Sequence, residues 1–296
     1  MKIILIFFSM ILVNVAKPQD EIHRLSDAFR KISAPWAIEL QGLCHDDENY
    51  FLTQRDYLWK IPRRFKIQAI KKEDSKNGIF KTPIPISLRL QGGDHMGDCD
   101  AHDGKIFIPL EGISPLRMMI FDAKTLDFIS APTLPTSQIN APWVTVDSHD
   151  GAIITGAFNI NSDQGIFRLK LSEDLQTLEE EEKILLKNKD GESINLRRIQ
   201  GVDITRSRNI IWFVSDGKKD GLYGFELDSM KLAIHHKVKY RPGFPFYEEL
   251  EGVDTLEDGE RLENYDGNLF VSMLNNNLIF QDSGYLKSFD QNKAFQ

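Results

Sequence analysis

Cysteine is scarce in this 296-residue chain: Cys44 and Cys99 are the only two. Two thiols cannot assemble a cysteine-based zinc site, so one disulfide or two buried thiols remain. No Asn-x-Ser/Thr sequon occurs, so nothing points to N-glycosylation. No run of Lys or Arg is interleaved with aromatics, and the formal net charge is −8. Nucleic acid and anionic lipid surfaces are therefore not expected partners, because a basic footprint supplies most of that affinity. There is no GxSxG elbow, no HExxH helix and no phosphate-cradling glycine loop. Long amphipathic helical patterns are missing as well. The one helix-like stretch, EDLQTLEEEEKILL at 173–186, carries an acidic run and reads as a solvated excursion.

Only one long apolar run exists, at residues 3–16, IILIFFSMILVNVA, after Met1-Lys2 and before polar KPQDE. About 14 apolar residues are too few for a bilayer span, which needs roughly 20. Its length and flanks predict a signal peptide over 1–16, cleaved near Ala16, although Asn14 is not the small residue that a −3 position prefers. An uncleaved N-terminal anchor is the alternative. The expected product is a soluble monomer, secreted or periplasmic/extracellular, comprising one domain over 20–296. Nineteen Phe supply a sizeable core.

What the chain has is a repeat. HDGKIFIPLEG, HDGAIITGAFN and YDGNLFVSMLN write the same turn and strand three times. Five short apolar strands line up: Tyr50–Thr53, Ile106–Ile108, Ile153–Thr155, Trp212–Ser215 and Leu269–Ser272. They are spaced roughly 50 residues apart, in the range of the longer propeller repeats. A second strand follows each, among them YLWKI and GLYGFEL, and another precedes each, opening on QGLC, MGDC, APWV, QGVD or EGVD. Asp103-Gly104, Asp150-Gly151 and Asp266-Gly267 are hairpin turns. Four antiparallel strands per repeat make a blade, and blades bury their faces only in a ring. The fold class is therefore all-β: a β-propeller of five four-stranded blades, with six possible if residues 22–40 and 63–93 supplied another. A β-sandwich or two smaller β domains is the competing architecture. HRLSDAFRKI is expected to close the last blade against the C-terminus.

The strand that opens each blade should line the axis, which places its start at an axial mouth. Gln41, His95, Asn140, Gln200 and Glu251 share that register. With Trp143, whose Ala-Pro-Trp phrase matches that of Trp36, they are the expected ligand-binding residues. The competing reading makes both tryptophans core. Oxygen donors of this kind suit a hard cation, so Ca2+ is the one cofactor considered, with Asp98, Asn140, Asp203 and Glu251 as metal ligands. Strand-capping hydrogen bonds and buried water account for the same residues without a metal. His95, Asp203 and Glu251 are the catalytic candidates, His95 as a general base beside a carboxylate. His102 and His149 belong to turns.

EGVDTLEDG…NLFVSML and QGVDITRSRNIIWFVSDGKKDGLYGFELD resemble the gluconolactonase, strictosidine synthase-like and NHL-repeat group of propellers in blade style. The resemblance implies a Glu and Asn/Asp from different blades around an axial divalent cation, for which Glu251, Asn140 and Asp203 match. It also implies six blades and acids where this chain has Gln. A second comparison, with five-bladed glycosidases carrying three axial carboxylates, implies Asp98, Asp203 and Glu251. Three functions follow: an exported binder of a small or extended polar ligand such as a glycan, a metal-dependent lactone or ester hydrolase, or a protein-interaction scaffold. Cys44 and Cys99 occupy one register in adjacent blades. An oxidising compartment favours their bond, whereas the usual spacing of inner strands favours two packed thiols.

Overall fold

The structure, a computed structural model, describes residues 29–32, 35–217, 221–238, 246–261, 267–277 and 283–291. The expected signal peptide lies outside the described residues. Five antiparallel sheets form a ring of blades. Blade one comprises Leu40–His45, Asn49–Gln54, Tyr57–Pro62 and Phe80–Pro83. The inner strand of blade two is broken into His95–Met96 and Asp100–His102; Lys105–Glu111, Arg117–Asp122 and Phe128–Ser130 follow. Blade three is Trp143–Asp147, Ala152–Gly156, Ile166–Leu171 and Leu178–Ile184, and blade four is Ile199–Thr205, Ile210–Ser215, Gly221–Glu226 and Leu232–His236. Blade five takes Phe246–Thr255, Leu269–Asn277 and Ser283–Phe289 from the C-terminal part. Its fourth strand is Phe29–Ile32, paired from Phe29↔Leu286 to Ile32↔Ser283. The N-terminal strand thus closes the ring as expected, and there is no sixth blade among the described residues. Residues 63–93 instead carry the outer strand of blade one and its crossing to blade two.

Side chains alternate across each strand, so every second strand feeds two interfaces. Leu52 packs toward blade five while Phe51 packs toward blade two. Ile106 and Ile108 face blade one, and Phe107 faces blade three. Ile211 and Phe213 join Trp143 of blade three, whereas Trp212 and Val214 join Val271 and Met273 of blade five. Each of the five apolar clusters therefore cements one pair of neighbouring blades. A fully buried aromatic or aliphatic side chain is worth about 1.5–3 kcal/mol. Leu178–Ile184 is a strand, not the helix that its acidic pattern suggested. It pairs with Ile166–Leu171 and exposes Glu179–Glu182 on the blade's outer edge, where charge guards against edge-to-edge association.

The axis is where the repeated glycine earns its place. A Cβ on Gly42 would lie 2.2 Å from Asp98 Oδ1, one on Gly201 2.4 Å from Oδ2, and one on Gly252 2.5 Å from Oδ1. Blades one, four and five thus converge on one carboxyl from blade two. Asp98 reaches it through a bulge. Pairing runs Met96↔Leu110 and then Asp100↔Phe107, so one extra residue enters the inner strand. Pro109 lies opposite and has no N–H to give the ladder. The freed Asp98 N–H donates instead to the Pro142 carbonyl of blade three at 2.8 Å.

This close approach also decides the cysteines. Cys44 and Cys99 form a disulfide with Cα atoms 5.6 Å apart, spanning 55 residues. Inner strands pinched to glycine contact lie nearer than the spacing that favoured free thiols. Thiol counting in denaturant is expected to find none before reduction and two after it. Gly42→Ala should lower stability in urea melts by roughly 3 kcal/mol or more, because the new methyl meets both the carboxyl and the backbone of Asp98. Gly104→Ala, in open space at φ 69°, should cost only about 1 kcal/mol.

Candidate functional site

Asp98 is fully buried and divides the axis. Its Oδ1 accepts from the backbone N–H groups of Leu43 (3.1 Å) and Cys99 (3.0 Å), and Oδ2 from that of Val253 (3.4 Å). Burial raises its pKa well above the ordinary carboxylate range, against these hydrogen bonds, with the Asp203 charge adding to the rise. It holds the inner strands together from the centre. Of the four expected metal ligands it is the most enclosed, and its oxygens already face protein donors.

Gln41, Gln200 and Glu251 each precede one of the three converging glycines, so they surround the axis on the side where inner strands begin. Gln41 Oε1 lies 2.7 Å from His95 Nε2. Gln41, His95, Asn140 and Gln200 are half-buried. Asn140 Oδ1 accepts from the Phe158 N–H at 2.6 Å, which is a strand-capping role. Glu251 is buried. Its carboxyl is pushed well above its ordinary pKa by burial, then by the nearby Glu249 and Asp216 carboxylates and by a hydrogen bond to Glu249. This mouth therefore offers amides, an imidazole and a buried carboxyl of raised pKa.

Several expectations change. Trp143 is fully buried against Phe213, ring centroids 5.8 Å apart, and lines no mouth. Trp36 is also core and donates to the Ile67 carbonyl at 3.1 Å. His95 is paired with an amide, not a carboxylate. Asp203 lies two residues beyond Gly201, past the Asp98 level, so it cannot join His95 and Glu251 in one catalytic group. Among the described residues no three His, Cys, Asp or Glu side chains are arranged to hold a metal ion; Asp98, Asn140, Asp203 and Glu251 do not converge.

Beyond Asp98 the axis is lined by acidic side chains. Asp203 accepts from Ile204 N–H (2.7 Å), Thr255 N–H (2.6 Å) and Thr255 Oγ1 (2.8 Å). Asp100 accepts from Val146 N–H (2.6 Å), Ala101 N–H (2.6 Å) and Thr145 Oγ1 (3.0 Å). These bonds tie blade two to three and blade four to five. Burial first, then the charges of Asp100 and Asp254, raise Asp203 well above the usual range. His45 was not singled out by the sequence. Its Nδ1 lies 2.8 and 2.9 Å from the Asp254 carboxylate oxygens, and its Nε2 lies 3.1 Å from Glu260 Oε1. Burial opposes its charge, yet Asp254 and Glu260 raise it well above an ordinary imidazole. Burial likewise opposes ionisation of Glu260, but His45 and Arg63 hold it down at about 2. The only sequence signal was His45 following the repeated QGLC phrase.

No protein-family model matches the chain, and no curated protein matches it either. Solved structures do. The GH43_1 enzyme from Xanthomonas citri, complexed with xylose, is 9% identical, with TM-score 0.53 over 90% of each chain. A GH43 β-xylosidase/α-arabinofuranosidase from a compost metagenome, complexed with xylotriose, is 10% identical, with TM-score 0.51 over 84% of this chain and 91% of that one. A gluconolactonase from Xanthomonas campestris is 12% identical, with TM-score 0.46 over 90% of this chain and 81% of that one. At such identities the likeness concerns the fold. The chain is a five-bladed β-propeller.

Burial raises Asp100 to about 6, with the Asp254 charge adding to the rise, against its three hydrogen bonds. A raised folded-state value stabilises most below the unfolded pKa and loses that contribution as pH rises through the folded one. Asp100 should therefore cost the fold about 3 kcal/mol between roughly pH 4 and 6. Paired urea melts at pH 4 and pH 7 should show a decline in the wild type, to which the raised carboxyls of Asp98, Asp203 and Glu251 add with the same sign, and a smaller decline in Asp100→Asn.

Proposed function

We propose that this propeller is exported and binds a neutral polyhydroxyl ligand, a saccharide, at the axial mouth formed by Gln41, His95, Gln200 and Glu251. The observation that carries the reading is the chemistry of that mouth above Asp98. Amides and an imidazole, half-exposed around a buried carboxyl of raised pKa, donate and accept hydrogen bonds. A sugar hydroxyl both donates and accepts, so it matches both the N–H and the C=O of such groups. The Asp98 plug supplies a floor, so a ligand rests on the mouth and does not thread the axis. Gln41 and His95 are already oriented by their mutual hydrogen bond, which lowers the ordering cost on binding.

A hydrolytic variant of this reading has one feature behind it: burial, then the Glu249 and Asp216 charges, raise the Glu251 pKa well above its ordinary value, which favours the protonated state a general acid requires. It calls for a base that Asp203, beyond the plug, does not supply. Binding is therefore the preferred function.

Calorimetric titration of the full chain against neutral mono- and oligosaccharides should find a binder, and Gln41→Ala and Gln200→Ala should each weaken it about tenfold. Binding that survives both substitutions, or a folded protein that binds no neutral saccharide in the panel, would contradict the assignment.

A further inference from the structure

At the opposite end of the axis, away from the saccharide mouth, blade one carries a pocket of about 590 Å³. It opens between the turn at Asp47–Asn49, the end of Tyr57–Pro62 and the segment at Arg261. Four cations line it: Lys60, Arg63, Arg64 and Arg261. In a chain of net charge −8 such a concentration is notable. Arg63 is engaged, donating to Glu260 Oε1 at 2.8 Å and to the Asp46 carbonyl at 2.9 Å. The other three differ. Among the described residues no carboxylate lies within 4.0 Å of the charged nitrogens of Lys60, Arg64 or Arg261.

Lys60 is the telling member. It is only 7% exposed. Its Nζ donates to the Lys124 carbonyl, and an ammonium has three protons, so two are left for another acceptor. Burial lowers the Lys60 pKa against the charges of Asp46, Asp122 and Glu48, none of which makes an ion pair with it, so an anionic ligand in the pocket would supply the close counter-charge that burial calls for. Arg64 donates to the Asn77 carbonyl at 2.9 Å, and its guanidinium stands 4.7 Å over Phe65, which holds the fork in place. Phe80, 37% exposed, gives the pocket an aromatic wall. Asp47 and Glu48 are exposed carboxylates at its rim.

From this arrangement we infer a second ligand site, for a sugar phosphate. The phosphate monoester sits on Lys60, Arg64 and Arg261, where charge-assisted hydrogen bonds are strongest. The sugar lies along Phe80, and its hydroxyls donate to Asp47 and Glu48. A 590 Å³ pocket lies within the usual range for small organic ligands and is far larger than inorganic phosphate needs. Binding alone is inferred; no covalent step is implied. The site stands independently of the saccharide mouth.

The test is calorimetry on the full chain at constant ionic strength, with hexose 6-phosphate, inorganic phosphate and free hexose as probes. Hexose 6-phosphate should bind at least about tenfold more tightly than inorganic phosphate. Arg64→Gln and Arg261→Gln, both in exposed positions, should each weaken it about tenfold, and Lys60→Gln should weaken it further. If hexose 6-phosphate fails to bind, if inorganic phosphate binds as tightly, or if folded Arg64→Gln and Arg261→Gln bind like the wild type, the inference is overturned. Because Lys60 is buried, its variant is judged only when its melting transition remains cooperative; the two arginine variants decide the matter without it.

Discussion

One carboxyl determines how closely five sheets can meet. Asp98 lies among Gly42, Gly201 and Gly252, and no side chain larger than hydrogen fits at those three positions without displacement. The glycines are needed for close approach and not for an unusual backbone angle. Their absence of a Cβ lets the inner strands of blades one, four and five reach the carboxyl, and backbone N–H groups of blades one, two and five then satisfy it. Burial of a charge is avoided because the acid is pushed toward its neutral form. The disulfide follows from the same approach, since it joins inner strands that the pinch has already brought together.

Closing the axis gives the molecule two chemically different ends. Above Asp98 the inner strands begin with amides, an imidazole and a buried carboxyl of raised pKa. Below it they finish in Asp100, Asp203, Asp254 and His45, crossed by hydrogen bonds from Thr145 and Thr255 that stitch neighbouring blades. The lower groups are engaged with one another and act chiefly as structure. Of the upper ones, Gln41, His95 and Gln200 are partly exposed and are the ones a ligand can reach. This division, more than any single residue, is why a mouth-binding function fits better than catalysis through the axis.

Much of the architecture was legible because a blade is a local object. Short alternating strands, Asp-Gly turns and the N-terminal closing strand can each be read within a few tens of residues. The site was less legible, because it depends on register between blades. Asp98 looked like a metal ligand until the bulge opposite Pro109 turned it into a plug. Trp143 looked like a mouth residue, but strand alternation sends it into the interface with blade four. His45 has meaning only through Asp254 and Glu260, more than two hundred positions away. The acidic 173–186 stretch read as helical because outer-edge strands face solvent and lose the apolar alternation that marks inner ones. The basic pocket shows the same limit: Lys60, Arg63 and Arg64 are near neighbours in the chain, but Arg261 joins them only through the fold.

The central claim is that Asp98 is the point on which the inner strands meet. Native-state hydrogen exchange at the Leu43, Cys99 and Val253 amides tests it most directly, comparing the wild type with Asp98→Ala. The account predicts that these three amides exchange only through global unfolding in the wild type, and that the variant loses protection at all three ahead of the amides in the strands' outer neighbours. Fast exchange at these amides in the wild type, or protection unaltered by the substitution, would contradict it.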